Sequence, residues 1–310
     1  MHGLKILGTG HYAPENIIDN ACFEKTLDTT NEWITSRTGI KTRHISVDEP
    51  CWLIGAKAAE NALQEANISP LDIDMIICST VTSDYYFPSN ACLIQKELGA
   101  VNAAAMDVSC ACTGFIYALE TARRFLIDAG TVKYKNILVV GSEVLSKLVD
   151  YTDRSTCILF GDGAGAAVVT GNADSSVSCV LGADGNGGKF LFCKPVMPNR
   201  NISETIRNMT VKQSECKDKQ ECEKINRNLN PDWDSDFIFQ DGKEVYKFAT
   251  KIMPYAVREV LKAADLSTDD IDMYFPHQAN IRIIQTAAAA LDVPIEKFYM
   301  NINEFGNTSS

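Results

Sequence analysis

The sequence lacks long apolar runs and an excess of positive charge. Nowhere in its 310 residues do apolar residues continue unbroken for the roughly 18 positions that a membrane-spanning helix needs, so we expect no such helix. Lys and Arg number 29 against 40 Asp and Glu, and this net charge of -11 argues against nucleic acid as a partner. Only four histidines are present, and none forms a metal-ligand spacing with a cysteine. We therefore expect no metal site.

Cysteine, by contrast, is abundant, with 11 residues. Their odd number and scattered positions favour reduced thiols over a disulfide framework. The N-terminus, Met1–Gly8, is interrupted by glycine too early for a signal peptide and is typical of a first strand. Cys110 and Cys112 are the only close pair, and one intervening residue is poor spacing for zinc. We expect a cytoplasmic protein.

One segment of the chain is repeated. Residues 63–75 align without a gap on residues 261–273, 198 positions later. Each copy is typical of a helix end, a capped turn and a strand that begins at Ile-Asp-Met. A repeat at this distance is too long for a solenoid and predicts two similar α/β halves, residues 1–170 and 171–310.

Strand-like and helix-like patterns alternate along the chain. Short apolar runs predict strands at 4–8, 73–79, 103–108, 136–142, 157–160, 164–170, 177–182 and 271–275. Helical periodicity predicts two helices in the second half, at 242–264 and 280–291. This alternation favours a mainly parallel sheet with helices on both faces. The polar stretch 199–236 shows little periodicity, and we expect a long surface excursion there.

Two glycine-containing segments need an interpretation of their own. Residues 161–165 read Gly-Asp-Gly-Ala-Gly, which is not a dinucleotide-binding spacing, and we expect a tight turn between strands. The last residues, 306–310, read like the start of a helix. By analogy with the first half, we expect that helix and the final strands of the second half to lie beyond Ser310.

Cys112 is the first candidate for chemistry. It follows the apolar run 103–108 and precedes a helical pattern that begins near Gly114. The positive end of a helix dipole and its unpaired N–H groups favour thiolate over thiol, which suits a nucleophile. The alternative is a small buried side chain, which is what most free cysteines are.

His277 and Asn307 occupy corresponding positions in the second half. His277 follows the predicted strand 271–275 and precedes a helix, where α/β folds place functional groups. Asn307 lies in a similar turn after Gly306. A structural histidine and a helix-capping asparagine are the alternatives.

Cysteine, histidine and asparagine on matching turns of a duplicated chain resemble the thiolase superfamily, and above all the β-ketoacyl-acyl carrier protein synthase III family. The resemblance runs from Lys5 to Ser310 and is weakest at 199–236. Its motifs are the segments 31–40, 107–115, 160–165, 276–280 and 306–309. It implies a thiolase-like duplicated αβαβα layered fold, α/β in class, with two pseudo-symmetric halves and mixed sheets.

The resemblance also implies a reaction and roles. Cys112 matches the acylated nucleophile, while His277 and Asn307 match the pair that stabilises the malonyl thioester during decarboxylation. The implied reaction joins a short acyl-CoA, with acetyl-CoA favoured, to malonyl-acyl carrier protein and initiates type II fatty acid synthesis. Coenzyme A enters as a thioester substrate, so no cofactor is implied.

Further residues carry over from the family by position. Trp33 and Arg154 match residues that hold the coenzyme A adenine, and Arg37 lies on its phosphates. Phe160 and Asn280 match substrate-binding positions, Asn280 in the pantetheine tunnel. Phe87 matches the aromatic residue that a homodimer contributes to its partner's acyl pocket. Arg282 matches a basic residue for carrier-protein docking.

Three other readings stay open from sequence. The same three residues occur in starter synthases of polyketide or quinolone pathways. A hydroxymethylglutaryl-CoA synthase would need a further acidic residue that has no evident position here. A non-catalytic scaffold that binds acyl-CoA or carrier protein is the remaining alternative.

Overall fold

The computed structural model describes residues 3–127, 134–193, 235 and 237–310. Its strands are β1 (Gly3–Tyr12), β2 (Ile17–Asp19), β3 (Thr42–His44), β4 (Met75–Ser79), β5 (Ala104–Val108), β6 (Asn136–Val144), β7 (Asp162–Asn172), β8 (Leu191–Phe192) and β9 (Phe239–Gln240). Its helices are α1 (Asn20–Glu24), α2 (Asn31–Thr38), α3 (Cys51–Ala66), α4 (Asn90–Leu98), α5 (Gly114–Ile127), α6 (Gly242–Ala264), α7 (Ile281–Leu291) and α8 (Ile302–Phe305). The predicted surface excursion 199–236 lies, apart from residue 235, outside the described residues.

A five-stranded sheet in the order β1-β7-β6-β4-β5 forms the centre of the first half. β4 pairs in parallel with β5 and β6, whereas β7 is antiparallel to both β6 and β1. Four of the five strands therefore run in one direction, in agreement with the expectation of a mainly parallel sheet, and β7 alone runs against them, so the sheet is mixed. The reason is that β7 follows β6 through the short helical turn Leu145–Leu148 and a further turn, without a crossover helix between them.

Helices cover both faces of this sheet. Ile76 and Cys78 of β4 point to the cluster that includes α3 and α4, while Met75 and Ile77 point to the cluster that includes α5. This alternation is the period of two expected along a strand, and burial on both faces explains the continuous apolar run. A Cβ on Gly10 would lie 2.3 Å from the Ala58 carbonyl oxygen, so α3 packs on β1 only because glycine is there.

The two copies of the repeated segment end their helices in the same way. α3 is capped by Asn67 and α6 by Asp265, each in the left-handed conformation, with φ of 53° and 57°. The next residue closes the same backbone bond in each copy: Ile68 N–H donates to Leu63 and Leu266 N–H to Leu261. Both ends are Schellman caps. The division into halves 1–170 and 171–310 stays a prediction.

Three predicted strands are wrong. Residues 157–160 form a turn after Asp153, whose backbone carbonyl and carboxylate accept from residues 155–157. Their apolar side chains are buried, and their only strand-like pairing is a single bridge from Phe160 to Asn307. Residues 177–182 have no strand partner among the described residues. Of 271–275, only Tyr274 pairs, in a single bridge to Phe298. Burial alone does not distinguish a strand from a buried turn, because a ladder also needs a neighbour.

The glycine-containing segment 161–165 is also not a turn between strands. β7 begins at Asp162, and Gly163 and Gly165 pair with Glu143 and Gly141 of β6. The Asp162 carboxylate is buried and accepts from Ser46 N–H and Ser146 N–H at 2.7 and 2.9 Å.

The predicted helices of the second half are confirmed as α6 and α7. No helix in the described part of the chain combines the length and apolar content needed to cross a bilayer.

Candidate active site

Cys112 lies where the central sheet meets α5. It belongs to a helical turn, Ala111–Thr113, that leads directly into α5 at Gly114. Ala111 adopts a left-handed φ of 45°, and a Cβ on Gly114 would fall 1.8 Å from Ser79 Oγ at the end of β4. Glycine therefore lets the start of α5 approach the carboxyl end of β4. This approach puts the Cys112 thiol at a helix N-terminus, as predicted.

His277 lies in the loop between the Tyr274 bridge and α7. Gln278 fixes this loop: its Nε2 donates to the carbonyls of Pro276 and Tyr299 at 2.9 and 3.1 Å, and its Oε1 accepts from Asn301 N–H at 3.2 Å. The loop that carries His277 is thus tied to the segment that leads to Asn307. Sequence reasoning did not find Gln278, and its only signal was adjacency to His277.

Asn307 is held by backbone pairing to residues 159–161. Its N–H donates to Leu159 O at 2.9 Å, and its carbonyl accepts from Gly161 N–H at 3.1 Å. Its side-chain Oδ1 accepts from Ser309 N–H at 3.0 Å. Because Oδ1 is engaged in this way, Nδ2 is the part of the amide available to a ligand.

Cys112 and His277 act on each other's ionisation. Burial on its own would raise the pKa of the Cys112 thiol, but the His277 imidazolium and hydrogen bonds from His277 and Ser309 outweigh burial and lower it. Burial would likewise lower the pKa of His277, but the charge and hydrogen bond of the Cys112 thiolate raise it. Both directions favour a thiolate–imidazolium pair, which is an activated nucleophile.

One cavity of about 900 Å³ joins these groups to the residues predicted for substrate. Its wall includes the predicted site residues Cys112, His277, Asn307, Trp33, Arg37, Phe160, Asn280 and Arg282. Arg154 lies beside it, with its guanidinium 5.0 Å from the centre of the Trp33 ring, and Arg37 lies over the same ring at 4.7 Å. Phe87 stands outside the wall, with its side chain 86% exposed.

A buried carboxylate, Glu143, lies close to Cys112 and was missed by sequence reasoning. It accepts from Thr82 Oγ1 at 2.6 Å, Ser310 Oγ at 2.8 Å and Val81 N–H at 3.1 Å. Burial outweighs these hydrogen bonds and raises the pKa of Glu143 to about 7. Its negative charge opposes ionisation of Cys112. An acidic residue at the end of the apolar run of β6 was the available signal.

Glu143 should make stability depend on pH. Its pKa is about 7 in the folded state against an ordinary 4.5, so between these values the folded protein binds a proton that the unfolded chain releases. The free energy of unfolding therefore falls as pH rises through this window, by about 3 kcal/mol in total. We expect Glu143→Gln to remove that part of the decline, measured by urea unfolding from pH 5 to pH 8.

The exposed Glu97 offers a matched control, because Glu97→Gln makes the same chemical change on the surface of α4. Equal slopes of unfolding free energy against pH in wild type and Glu143→Gln would contradict the assignment. Comparison of the two variants also separates Glu143 from two other carboxyls whose pKa values burial raises, the partly buried Asp107 and the buried Asp162.

Among the described residues, no three His, Cys, Asp or Glu side chains are grouped as metal ligands would be. The cavity wall presents the thiol of Cys112, the imidazole of His277 and the amide of Asn307. A thiolate suits acyl transfer, and two hydrogen-bond donors beside it suit an oxygen that becomes negatively charged.

Comparison with known proteins agrees with this chemistry. The family model for 3-oxoacyl-[acyl-carrier-protein (ACP)] synthase III matches residues 106–185, and the model for its C-terminal part matches residues 261–310. A beta-ketoacyl-[acyl-carrier-protein] synthase III from Clostridium acetobutylicum is 44% identical, across 100% of this chain and 87% of the relative. One from Caldanaerobacter subterraneus is 46% identical, across 98% of this chain and 85% of the relative.

Solved structures give the same result. The 3-oxoacyl-[acyl-carrier-protein] synthase III of Aquifex aeolicus VF5 superposes with a TM-score of 0.81 at 40% identity, covering 99% of this chain and 86% of that one. The priming β-ketosynthase of the R1128 polyketide pathway superposes with a TM-score of 0.82 at 33% identity, covering 99% and 84%. The predicted thiolase-like α/β fold with a mixed sheet is thereby confirmed.

Proposed function

This chain belongs to the 3-oxoacyl-[acyl-carrier-protein] synthase III family, and we propose that it condenses acetyl-CoA with malonyl-acyl carrier protein through a thioester on Cys112. It is an acyltransferase of fatty acid synthesis, a condensing enzyme that acts at the initiating step. The observation that carries the assignment of residues is the shared cavity, whose wall contains Cys112, His277 and Asn307.

In the first half-reaction the Cys112 thiolate attacks the acyl-CoA carbonyl. The bond from acyl carbon to Cys112 sulfur forms, and the bond to the coenzyme A sulfur breaks. The departing thiolate takes the proton of the His277 imidazolium and leaves as coenzyme A thiol. His277 is then neutral. One thioester replaces another, so a stabilised thiolate is the main requirement.

In the second half-reaction the malonyl thioester loses carbon dioxide. The electron pair of the broken bond moves into an enolate, whose oxygen accepts from neutral His277 Nε2–H and Asn307 Nδ2–H. A preorganised donor of this kind is worth about 3–4 kcal/mol. The enolate carbon attacks the acyl carbonyl on Cys112, the Cys112 thiolate leaves, and β-ketoacyl-carrier protein is formed. A proton from solvent restores the imidazolium, and no cofactor is needed.

Trp33 and the two arginines form the proposed site for the coenzyme A nucleotide. A planar adenine needs about 7 Å between the groups that stack on it, and Arg154 lies 5.0 Å from the Trp33 ring. Arg154 must therefore swing away from Trp33, giving up its bond to Asp28 O at 2.6 Å, before adenine enters. Arg37 would then lie close to the phosphates, and Asn280 and Phe160 would contact the substrate deeper in the cavity.

Arg282 is the proposed centre of carrier-protein docking. It is exposed at the edge of the cavity, together with Lys243 and Lys247 of α6. On a chain with a net charge of -11, a local basic patch is what an acidic carrier protein would require. The exposed Phe87 is proposed to reach the acyl pocket of a second copy in a homodimer, and we propose that the enzyme works in the cytoplasm.

The function is tested by mixing the protein with acetyl-CoA and malonyl-carrier protein and measuring carbon dioxide and acetoacetyl-carrier protein by mass spectrometry. A protein that binds acetyl-CoA yet releases no carbon dioxide would be a scaffold. Faster condensation with malonyl-CoA than with malonyl-carrier protein would favour a starter synthase of a polyketide or quinolone pathway.

Arg282→Glu should raise the KM for malonyl-carrier protein about tenfold and leave kcat within about twofold, because docking is lost and the chemistry is not. The KM for malonyl-CoA should rise less. Lys262→Glu makes a similar charge reversal in the last turn of α6, outside the cavity wall, and serves as the control. Equal KM changes in the two variants would mean that Arg282 acts only through net charge.

A further inference from the structure

Ser309 touches the sulfur of Cys112 and has no role in the reaction described above. Its Oγ donates to Cys112 Sγ at 3.6 Å, within hydrogen-bonding range for sulfur. Its side chain is buried, with the residue 9% exposed, so the hydroxyl does not turn freely into solvent. Building on the proposed role of Cys112, we propose that Ser309 is a further catalytic residue that stabilises the Cys112 thiolate by this hydrogen bond.

The backbone of Ser309 is held in an unusual conformation that makes this contact possible. Its φ of 61° is left-handed, a region that residues other than glycine rarely adopt. The bond from Ser309 N–H to Asn307 Oδ1 keeps it there. On the other side, Ser310 is tied to Ser79 O and to Glu143 Oε1 at 3.3 and 2.8 Å. Such strain persists when the surrounding contacts fix it, and it is found mostly at functional sites.

A donor on the sulfur acts differently on each form of Cys112. A thiolate is a strong acceptor, whereas a thiol or an acylated sulfur is a weak one. Ser309 therefore favours the thiolate over both other forms. This bond lowers the pKa of Cys112 and makes its thiolate a better leaving group when the tetrahedral adduct with the enolate collapses.

The same bond makes each thiolate slightly less nucleophilic, because nucleophilicity falls with basicity. Two titratable groups also act on Cys112: His277, which favours the thiolate, and Glu143, which opposes it. The Ser309 hydroxyl, by contrast, stays neutral over the whole working range, so it stabilises the Cys112 thiolate by the same amount at every pH. Removing the hydroxyl should therefore lower the reaction rate of Cys112 at low pH, where less thiolate is present, and raise it at high pH, where the thiolate is more nucleophilic. Loss of local structure would not produce this reversal.

The test follows alkylation of Cys112 by iodoacetamide against pH. Mass spectrometry of the peptide that carries Cys112 is used in a Cys110→Ala background, so that the pair is reduced to one thiol. In Ser309→Gly, which tolerates positive φ, we expect the midpoint of alkylation to rise by about one pH unit. Below the midpoint the variant should react about threefold to fourfold more slowly than the parent, because the roughly tenfold smaller thiolate fraction is partly offset by a more nucleophilic thiolate, and above the midpoint it should react about threefold faster.

Acetylation by acetyl-CoA should show the same crossing of rates. Ser309→Ala also lacks the hydroxyl but does not gain the backbone freedom of glycine. It should give the same alkylation midpoint as Ser309→Gly, which would show that the shift comes from loss of the hydroxyl. Thr308→Val is the matched control, because it removes a neighbouring hydroxyl whose side chain lies beside Gly163 of β7. It should keep the parent midpoint.

An unchanged midpoint in both Ser309 variants, or equal slowing at every pH, would overturn the proposal. Alkylation needs neither acetyl-CoA nor carrier protein. If the parent protein gains no acetyl group on Cys112, the proposed function fails, while the alkylation midpoint still decides whether Ser309 stabilises the thiolate.

Discussion

Replacing Cys112 with alanine should eliminate the acetyl adduct and reduce condensation at least about a thousandfold. Cys112 supplies the only thiol among the described residues of the cavity wall, and removal of a covalent nucleophile leaves only the effects of binding and of the remaining donors. The measurement is peptide mass spectrometry after incubation with acetyl-CoA, together with the rate of acetoacetyl-carrier protein formation.

Cys110→Ala is the control, since Cys110 lies two residues earlier and is also half-buried. It should keep the adduct and most of the rate. An adduct that persists in Cys112→Ala but disappears in Cys110→Ala would transfer the nucleophile to Cys110. In that case the lowered pKa of Cys112, which His277 and Ser309 produce by stabilising its thiolate, would not serve acyl transfer.

Much of the fold followed from local chemistry. The helices α6 and α7 and the strands β4 to β7 lie where apolar periodicity predicted them, because each buries a face that its own side chains define. The equivalent caps at Asn67 and Asp265 also followed from sequence. Each helix end leaves backbone carbonyls unpaired, and the repeated sequence pairs them through the same left-handed cap in both copies. The mixed direction of the sheet did not follow from periodicity, because it depends on which strand is the neighbour, and only the resemblance to a family implied it.

The failures share a physical cause. Residues 157–160 and 271–275 are apolar and β-rich in composition, yet strand pairing is decided by distant partners. For 157–160 local backbone bonds make a turn, because Cys157 N–H donates to Asp153 O and Leu159 N–H donates to Thr156 O. In 271–275, the Tyr274 ring stacks on the Phe298 ring at 4.7 Å between centres. The backbones of these two residues also form the only bridge that 271–275 makes to the described residues.

The candidate site divides in the same way. Strand-to-helix turns marked Cys112, His277 and Asn307, and the resemblance to a family supplied Trp33, Arg37, Arg154, Phe160, Asn280 and Arg282. Glu143 and Ser309 were not found, because their importance comes from what packs against them. A carboxylate on a buried strand and a serine in a left-handed conformation acquire meaning only when the sulfur of Cys112 is seen beside them.

Replacing Asn307 should separate the two half-reactions. We expect Asn307→Ala to lower malonyl decarboxylation about 10²–10³-fold, because one of two donors to the enolate oxygen is lost. Acetylation of Cys112 should fall far less, since His277 and Ser309 still stabilise the thiolate. The measurement is carbon dioxide release from malonyl-carrier protein, compared with the acetylation rate of the same preparation.

Alanine also removes Oδ1, which accepts from Ser309 N–H, so a second variant is needed to separate donation from positioning. Asn307→Asp keeps that acceptor and replaces the Nδ2 donor with an anionic oxygen beside the thiolate. It should lose decarboxylation at least as completely as alanine, and it should slow acetylation near neutral pH by raising the pKa of Cys112. If Asp instead restored decarboxylation, Asn307 would serve to hold the 307–310 turn, and His277 alone would face the enolate.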